Sequence, residues 1–127
     1  MNVYMSLKPR TTYYVQASVA GINGEQAEAV TTFETAKMNE PWKANYIGTA
    51  EEDKFHPVFK KSFNVPADKS VAEARIYMTG LGVYEASLNG TKIGEDYLAP
   101  FVNDYNDGIQ YQTYDITAQL SKDNVFE

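Results

Sequence analysis

A chain of 127 residues is long enough for one ordinary domain to bury most of its apolar surface, and 43% hydrophobic with 22% charged residues is a globular composition far from that of disorder. The net charge of −6 leaves no clustered Lys and Arg to neutralise phosphates, so nucleic acid is excluded as a partner. No apolar run reaches the length of a membrane span, the start "MNVYMSLKPR" lacks the hydrophobic core of a signal peptide, and zero Cys removes disulfides, thiol nucleophiles and thiolate metal sites without fixing a compartment.

Ten Tyr, six Phe, one Trp and many Val and Thr favour pleated, half-buried surfaces, so the expected class is all-β. A first block reads as a hairpin. Tyr13, Val15, Ala17 and Val19 alternate with Tyr14, Gln16 and Ser18; "GINGE" supplies a turn; Ala27, Ala29, Thr31 and Phe33 resume the alternation. The spacing of Leu7, Pro9, Thr11 and Tyr13 resembles the tyrosine corner of fibronectin type III domains, in which a Tyr at a strand start bonds back to the preceding loop. The closing "TTFETA" resembles the last strand of that fold. The expectation is a fibronectin III-like hairpin fragment over residues 1–37. Two strands cannot bury a sandwich face by themselves, so the apolar face needs cover from the rest of the chain, a second copy or further strands, and unpaired strand edges make self-association an expectation.

In "KMNEPWKANYIG", Asn39, Glu40 and Pro41 interrupt any ladder, and a second block is placed over residues 38–127. "HPVFKKSFNV" alternates, and "VPADKS" turns the chain. "VAEARIYM" places Ala74, Ile76 and Met78 on one side, and "VYEASL" places Tyr84, Ala86 and Leu88 opposite Val83, Glu85 and Ser87. Gly80 and Gly82 mark a bulge or a close approach. Asn89-Gly90 predicts a type I′ hairpin turn, because both central residues need positive φ. "QYQTYDITAQL" is a further alternating run with a turn at Asp115, and "ITAQLSKDN" has room for one short helical turn.

These residues carry a second resemblance. "PWKANYIG", "PVFKKSFNV", "EARIYMTGLGVYEASLNGTKIGEDYLAP", "NDY" and "IQYQTYDIT" occur in the order and spacing of the N-terminal β-sandwich of bacterial α-L-rhamnosidases, glycoside hydrolase family 78, from Trp42 to the last residue. The resemblance implies an incomplete jelly-roll β-sandwich of galactose-binding-like type. It also implies a parent enzyme that removes terminal α-L-rhamnose from glycans in a separate catalytic barrel, in the bacterial periplasm or outside the cell. This chain departs from the family in "LAPFVNDYND", where Phe101-Val102 stand in place of Gly-Trp, and it stops at "KDNVFE" within what reads as another strand.

Glycoside hydrolysis needs two carboxyls facing each other across a sugar, one of them kept protonated by its surroundings. Seventeen Asp and Glu supply many pairs and spacing selects none, so no catalytic residue is assigned here. His56 is the single His, too few for a triad or a multi-His metal site. Asn103, Asp104, Asn106 and Asp107 before Gly108 have the composition of a calcium loop in a register unlike the EF-hand, and tight turns use the same residues, so no metal and no cofactor are expected. Sugar recognition by a sandwich uses an aromatic face with planar polar groups, and Tyr84, Asp96, Tyr97, Asp104, Tyr105 and Tyr111 are the candidates for a rhamnose-containing ligand. Asn89 falls in the same region, but the turn already uses it. The readings left open are an accessory sugar-facing sandwich docked beside a catalytic barrel, a fibronectin-like structural or interaction module, and the sugar-binding domain of another glycosidase such as a β-galactosidase-type enzyme.

Overall fold

The computed structural model describes residues 4–49 and 56–127. The chain divides into two compact units, Met1–Asn45 and Tyr46–Glu127.

The first unit is built on a hairpin of β1 (Thr12–Ala20) and β2 (Gln26–Glu34), antiparallel in unbroken register from Thr12 opposite Glu34 to Ala20 opposite Gln26. The period-two pattern puts Tyr13, Val15, Ala17 and Val19 on one face with Phe33, Thr31, Ala29 and Ala27 across from them. That face is apolar as expected. It remains open, with Val15 and Val19 exposed and Phe33 at 41%. Tyr13 and Phe33 stack with ring centroids 5.3 Å apart. The Lys8 amide donates to the Tyr13 hydroxyl at 2.7 Å, so Tyr13 does bond back to the loop before its strand. Thr35 locks the open end of the hairpin: its buried Oγ1 accepts the Thr11 amide at 3.0 Å and donates to the Lys8 carbonyl at 2.6 Å. Trp42 belongs to this unit, with the Lys37 ammonium 4.9 Å above its ring.

The second unit holds the core. Four strands, β3 (Lys61–Asn64), β8 (Asp123–Phe126), β5 (Ser87–Leu88) and β6 (Thr91–Lys92), form one antiparallel sheet in the order β3-β8-β5-β6. A separate ribbon pairs β4 (Arg75–Met78) with β7 (Gln112–Asp115). Between them lie Ala86, Leu88, Ile93 and Ile116, against which Ala74, Ile76, Met78, Tyr114, Leu120 and Phe126 pack. Two sheets closing on one apolar layer make a β-sandwich. Leu88, at 1% exposure, is the most deeply placed core residue, and burying such a side chain contributes about 2 kcal/mol. The faces read from alternation are those that pack: Ala74, Ile76 and Met78 point into this layer, as do Ala86 and Leu88. The only helix among the described residues is one 3-10 turn, Thr117–Gln119, in the place expected for a short turn. Asp115 Oδ1 accepts the Thr117 amide at 2.9 Å ahead of it.

Asn89 and Gly90 have φ of 54° and 78°, the pair of positive angles a type I′ turn requires. The Asn89 side chain also holds the strand beside it. Its Nδ2 donates to Gln119 O and to Asn124 Oδ1, both at 3.0 Å, and its Oδ1 accepts the Val125 amide at 2.9 Å. Asn124, 2% exposed, has its remaining groups satisfied by Ser121. This asparagine pair is therefore structural.

Candidate functional site

The site grows from the ribbon. On β7, Gln112 and Tyr114 share the face that carries Met78 and Ile76 opposite them, so two polar side chains stand at the margin of the apolar layer. A bridge between Tyr84 and Ala99, with the Tyr84 amide donating to Ala99 O at 2.8 Å, brings the loop after β6 alongside. A chain of hydrogen bonds results. Tyr84 Oη donates to Gln112 Oε1 at 2.7 Å, Gln112 Nε2 donates to Asp96 Oδ2 at 3.4 Å, and Tyr114 Oη donates to the same Oδ2 at 3.0 Å.

Burial and, secondarily, the hydrogen bond to Asp96 push the Tyr114 phenol well above its ordinary range; burial first, and the Asp96 charge after it, raise Tyr84. Both phenols are therefore neutral donors at neutral pH; Tyr114 holds the exposed Asp96 carboxylate directly, and Tyr84 acts on it through Gln112. Oδ1 of Asp96 has no partner among the described residues.

Tyr97 adjoins this group and is 79% exposed. The Lys92 ammonium lies 3.6 Å from its ring centroid and 3.3 Å from Glu85 Oε2. At that position Lys92 Nζ is enclosed and makes an ion pair without hydrogen-bond alignment, so its charge is balanced by a carboxylate and by the ring face together.

Of the six candidate residues, the structure joins Tyr84 and Asp96 through Gln112 and places Tyr97 next in sequence to Asp96. The other three lie elsewhere in the contact network. Asp104 Oδ1 accepts the Asn106 amide at 2.9 Å and Asn106 Nδ2 at 2.8 Å, while Asn103 Nδ2 donates to Gly108 O at 2.6 Å, which is turn chemistry. Tyr105 is exposed on that loop. Tyr111 packs on Tyr77, ring centroids 6.3 Å apart. His56 is exposed. No group of three or more His, Cys, Asp or Glu is placed to hold a metal ion among the described residues.

Sequence reasoning passed over Gln112, Tyr114 and Lys92. A signal existed for two of them: Gln112 and Tyr114 have the same parity as the buried Ile116, and a Gln on a core-facing register needs a polar partner.

The alpha-L-rhamnosidase N-terminal domain family matches residues 69–127, which contain every member of this site. Residues 69–127 are similar to that N-terminal domain. The chain is 49% identical to an alpha-L-rhamnosidase of Streptomyces avermitilis across 61 residues, 48% of this chain and 6% of that protein. It is 33% identical to an alpha-L-rhamnosidase of Formosa agariphila across 89 residues, 70% of this chain and 8% of that one. Among solved structures, the alpha-L-rhamnosidase from Dictyoglumus thermophilum matches with a TM-score of 0.78 at 30% identity, over 94% of this chain and 16% of that chain. The rhamnosidase N-terminal domain thus accounts for the all-β sandwich, and the chain spans less than a tenth of the length of these two curated relatives.

Proposed function

We propose that the chain serves as a non-catalytic accessory β-sandwich of an alpha-L-rhamnosidase and that its Asp96-Tyr97 surface contacts rhamnose-containing carbohydrate. The observation that supports this reading is the fixed carboxylate beside an exposed ring. Asp96 is held by Tyr114 and Gln112 with one oxygen left for a sugar hydroxyl, and Tyr97 offers a face for the apolar side of a pyranose. A titration of the chain with L-rhamnose, followed by two-dimensional NMR at roughly 10 mM ligand, tests it. Shifts confined to the amides of Asp96, Tyr97 and Gln112, lost in Tyr97→Ala, are expected; an unchanged spectrum ends the carbohydrate reading.

A second reading, that the sandwich positions a neighbouring domain, is favoured by the aliphatic side chains exposed beside the site. Comparing a polypeptide containing the chain on an aryl α-L-rhamnoside and an aryl β-galactoside separates the rhamnosidase assignment from another glycosidase.

A further inference from the structure

We infer that Asn23 is a modification site, converted by water to aspartate and isoaspartate in the folded protein, and that the fold withholds the same chemistry from Asn89. The chain carries Asn-Gly twice, as Ile22-Asn23-Gly24 and Leu88-Asn89-Gly90, each behind a bulky aliphatic residue. Glycine has no side chain to shield its amide nitrogen, so the two sites are close to equivalent in an unfolded chain. Structure makes the difference between them.

The reaction needs only water and hydroxide. The Gly24 amide nitrogen, having given its proton to hydroxide, bonds to Cγ of Asn23, and the Cγ–Nδ2 bond breaks. Nδ2 takes a proton from water and leaves as ammonia, which closes a five-membered succinimide. Water then adds to one imide carbonyl and breaks its bond to the Gly24 nitrogen. Opening at Cγ gives aspartate, and opening at the main-chain carbonyl gives isoaspartate.

Asn23 is placed for that attack. The Gly24 amide donates to Gly21 O at 3.1 Å and Gly24 has φ of +85°, so the β1–β2 turn is closed by a left-handed glycine. Residues 21–25 are all exposed, and the Asn23 side chain has no hydrogen-bond partner among the described residues. A β-carbon on Gly24 would meet nothing within 4 Å, which leaves the space beside its nitrogen open to the Asn23 carboxamide. The 3.1 Å bond is a weak restraint, because bonds in exposed hairpin turns open at little cost.

Asn89 is held the other way. Its Nδ2, the leaving group, gives its protons to Gln119 O and Asn124 Oδ1 at 3.0 Å each, and its Oδ1 accepts the Val125 amide at 2.9 Å. Cγ must turn away from β8 to reach the Gly90 nitrogen, which breaks all three bonds. Asn89 therefore reacts only from a locally opened state, at a rate scaled down by that state's population. At Asn23 each conversion adds a negative charge beside Glu25 to a chain already at −6. The isoaspartate form also lengthens the main chain by a methylene inside the turn that the Gly21 amide closes on Glu25 O at 2.7 Å.

Incubating the folded 127-residue chain in mildly alkaline buffer, followed by peptide mapping with mass spectrometry, tests this. Asn23 is expected to convert at least about tenfold faster than Asn89. In guanidinium chloride the two rates are expected to agree within about threefold, since both nitrogens are then equally unshielded. Hydroxylamine, which opens a succinimide with cleavage of the chain, is expected to release a fragment beginning at Gly24 from the folded chain and a further one beginning at Gly90 only from the denatured chain. An Asn23 that persists in buffer but converts in denaturant overturns the inference, because the turn then protects it. Equal conversion of Asn23 and Asn89 in buffer overturns it as well, because the bonds to Asn89 then restrain nothing.

Discussion

A β-carbon on Gly94 would lie 2.3 Å from Cε1 of Tyr114, inside any contact distance real atoms adopt. Gly94 also has φ of +73°, so the position lacks room for a side chain and holds a backbone that disfavours one. The Tyr114 ring uses that space to reach Asp96. Gly94→Ala is therefore expected to destabilise the second unit by about 2–4 kcal/mol, the sum of left-handed strain and overpacking. Urea unfolding monitored by tyrosine fluorescence measures it, and a midpoint equal to that of the parent chain would refute the close approach.

Asn89 combines two roles that substitutions can separate. Asn89→Gly keeps the positive φ and loses the three side-chain hydrogen bonds, whereas Asn89→Ala loses both. The expected costs are about 1–3 kcal/mol for Gly and about 1 kcal/mol more for Ala, with buried Asn124 left short of a donor in each. Chemical denaturation of the two variants checks the difference; identical stabilities would mean that the turn conformation is not what selects Asn.

The two phenols predict an alkaline limit. Their folded pKa values are raised above the ordinary 10.0, so the folded state keeps protons that the unfolded chain has released. The contribution is fully present below pH 10 and is lost as pH rises through the folded values, so stability should fall with increasing pH above about 10. Tyr84→Phe should make that fall shallower. Thermal midpoints from pH 8 to pH 11 report it, and a flat profile in the parent chain contradicts the hydrogen-bonded arrangement.

In the first unit, Thr35 Oγ1 accepts from Thr11 and donates to Lys8 while buried. Thr35→Val keeps the shape and leaves the Thr11 amide without that acceptor, for an expected loss of about 1–3 kcal/mol. Faster amide exchange at Thr11 in Thr35→Val, and near-parent exchange in Thr35→Ser, is the expected pattern. Slow exchange at Thr11 in Thr35→Val would show that the hydroxyl is not the group protecting it.

The sequence by itself determined the local grammar of this chain. Alternation assigned the inward faces of β4 and β5 and the apolar, open face of β1 because side-chain direction in a strand reverses at every residue, and Asn89-Gly90 announced its turn because few residues accept two successive positive φ angles. Tertiary structure alone decided which polar groups meet. Asp96 is 16 residues from Gln112 and 18 from Tyr114, and only the Tyr84–Ala99 bridge and the β4–β7 ribbon bring them within hydrogen-bond reach. The same holds for the distribution of the candidate residues. Tyr84 and Asp96 joined a shared network while Asp104 and Tyr111 took local and aromatic partners, since a residue's type sets what it can bond and the packing of distant segments sets what it does bond.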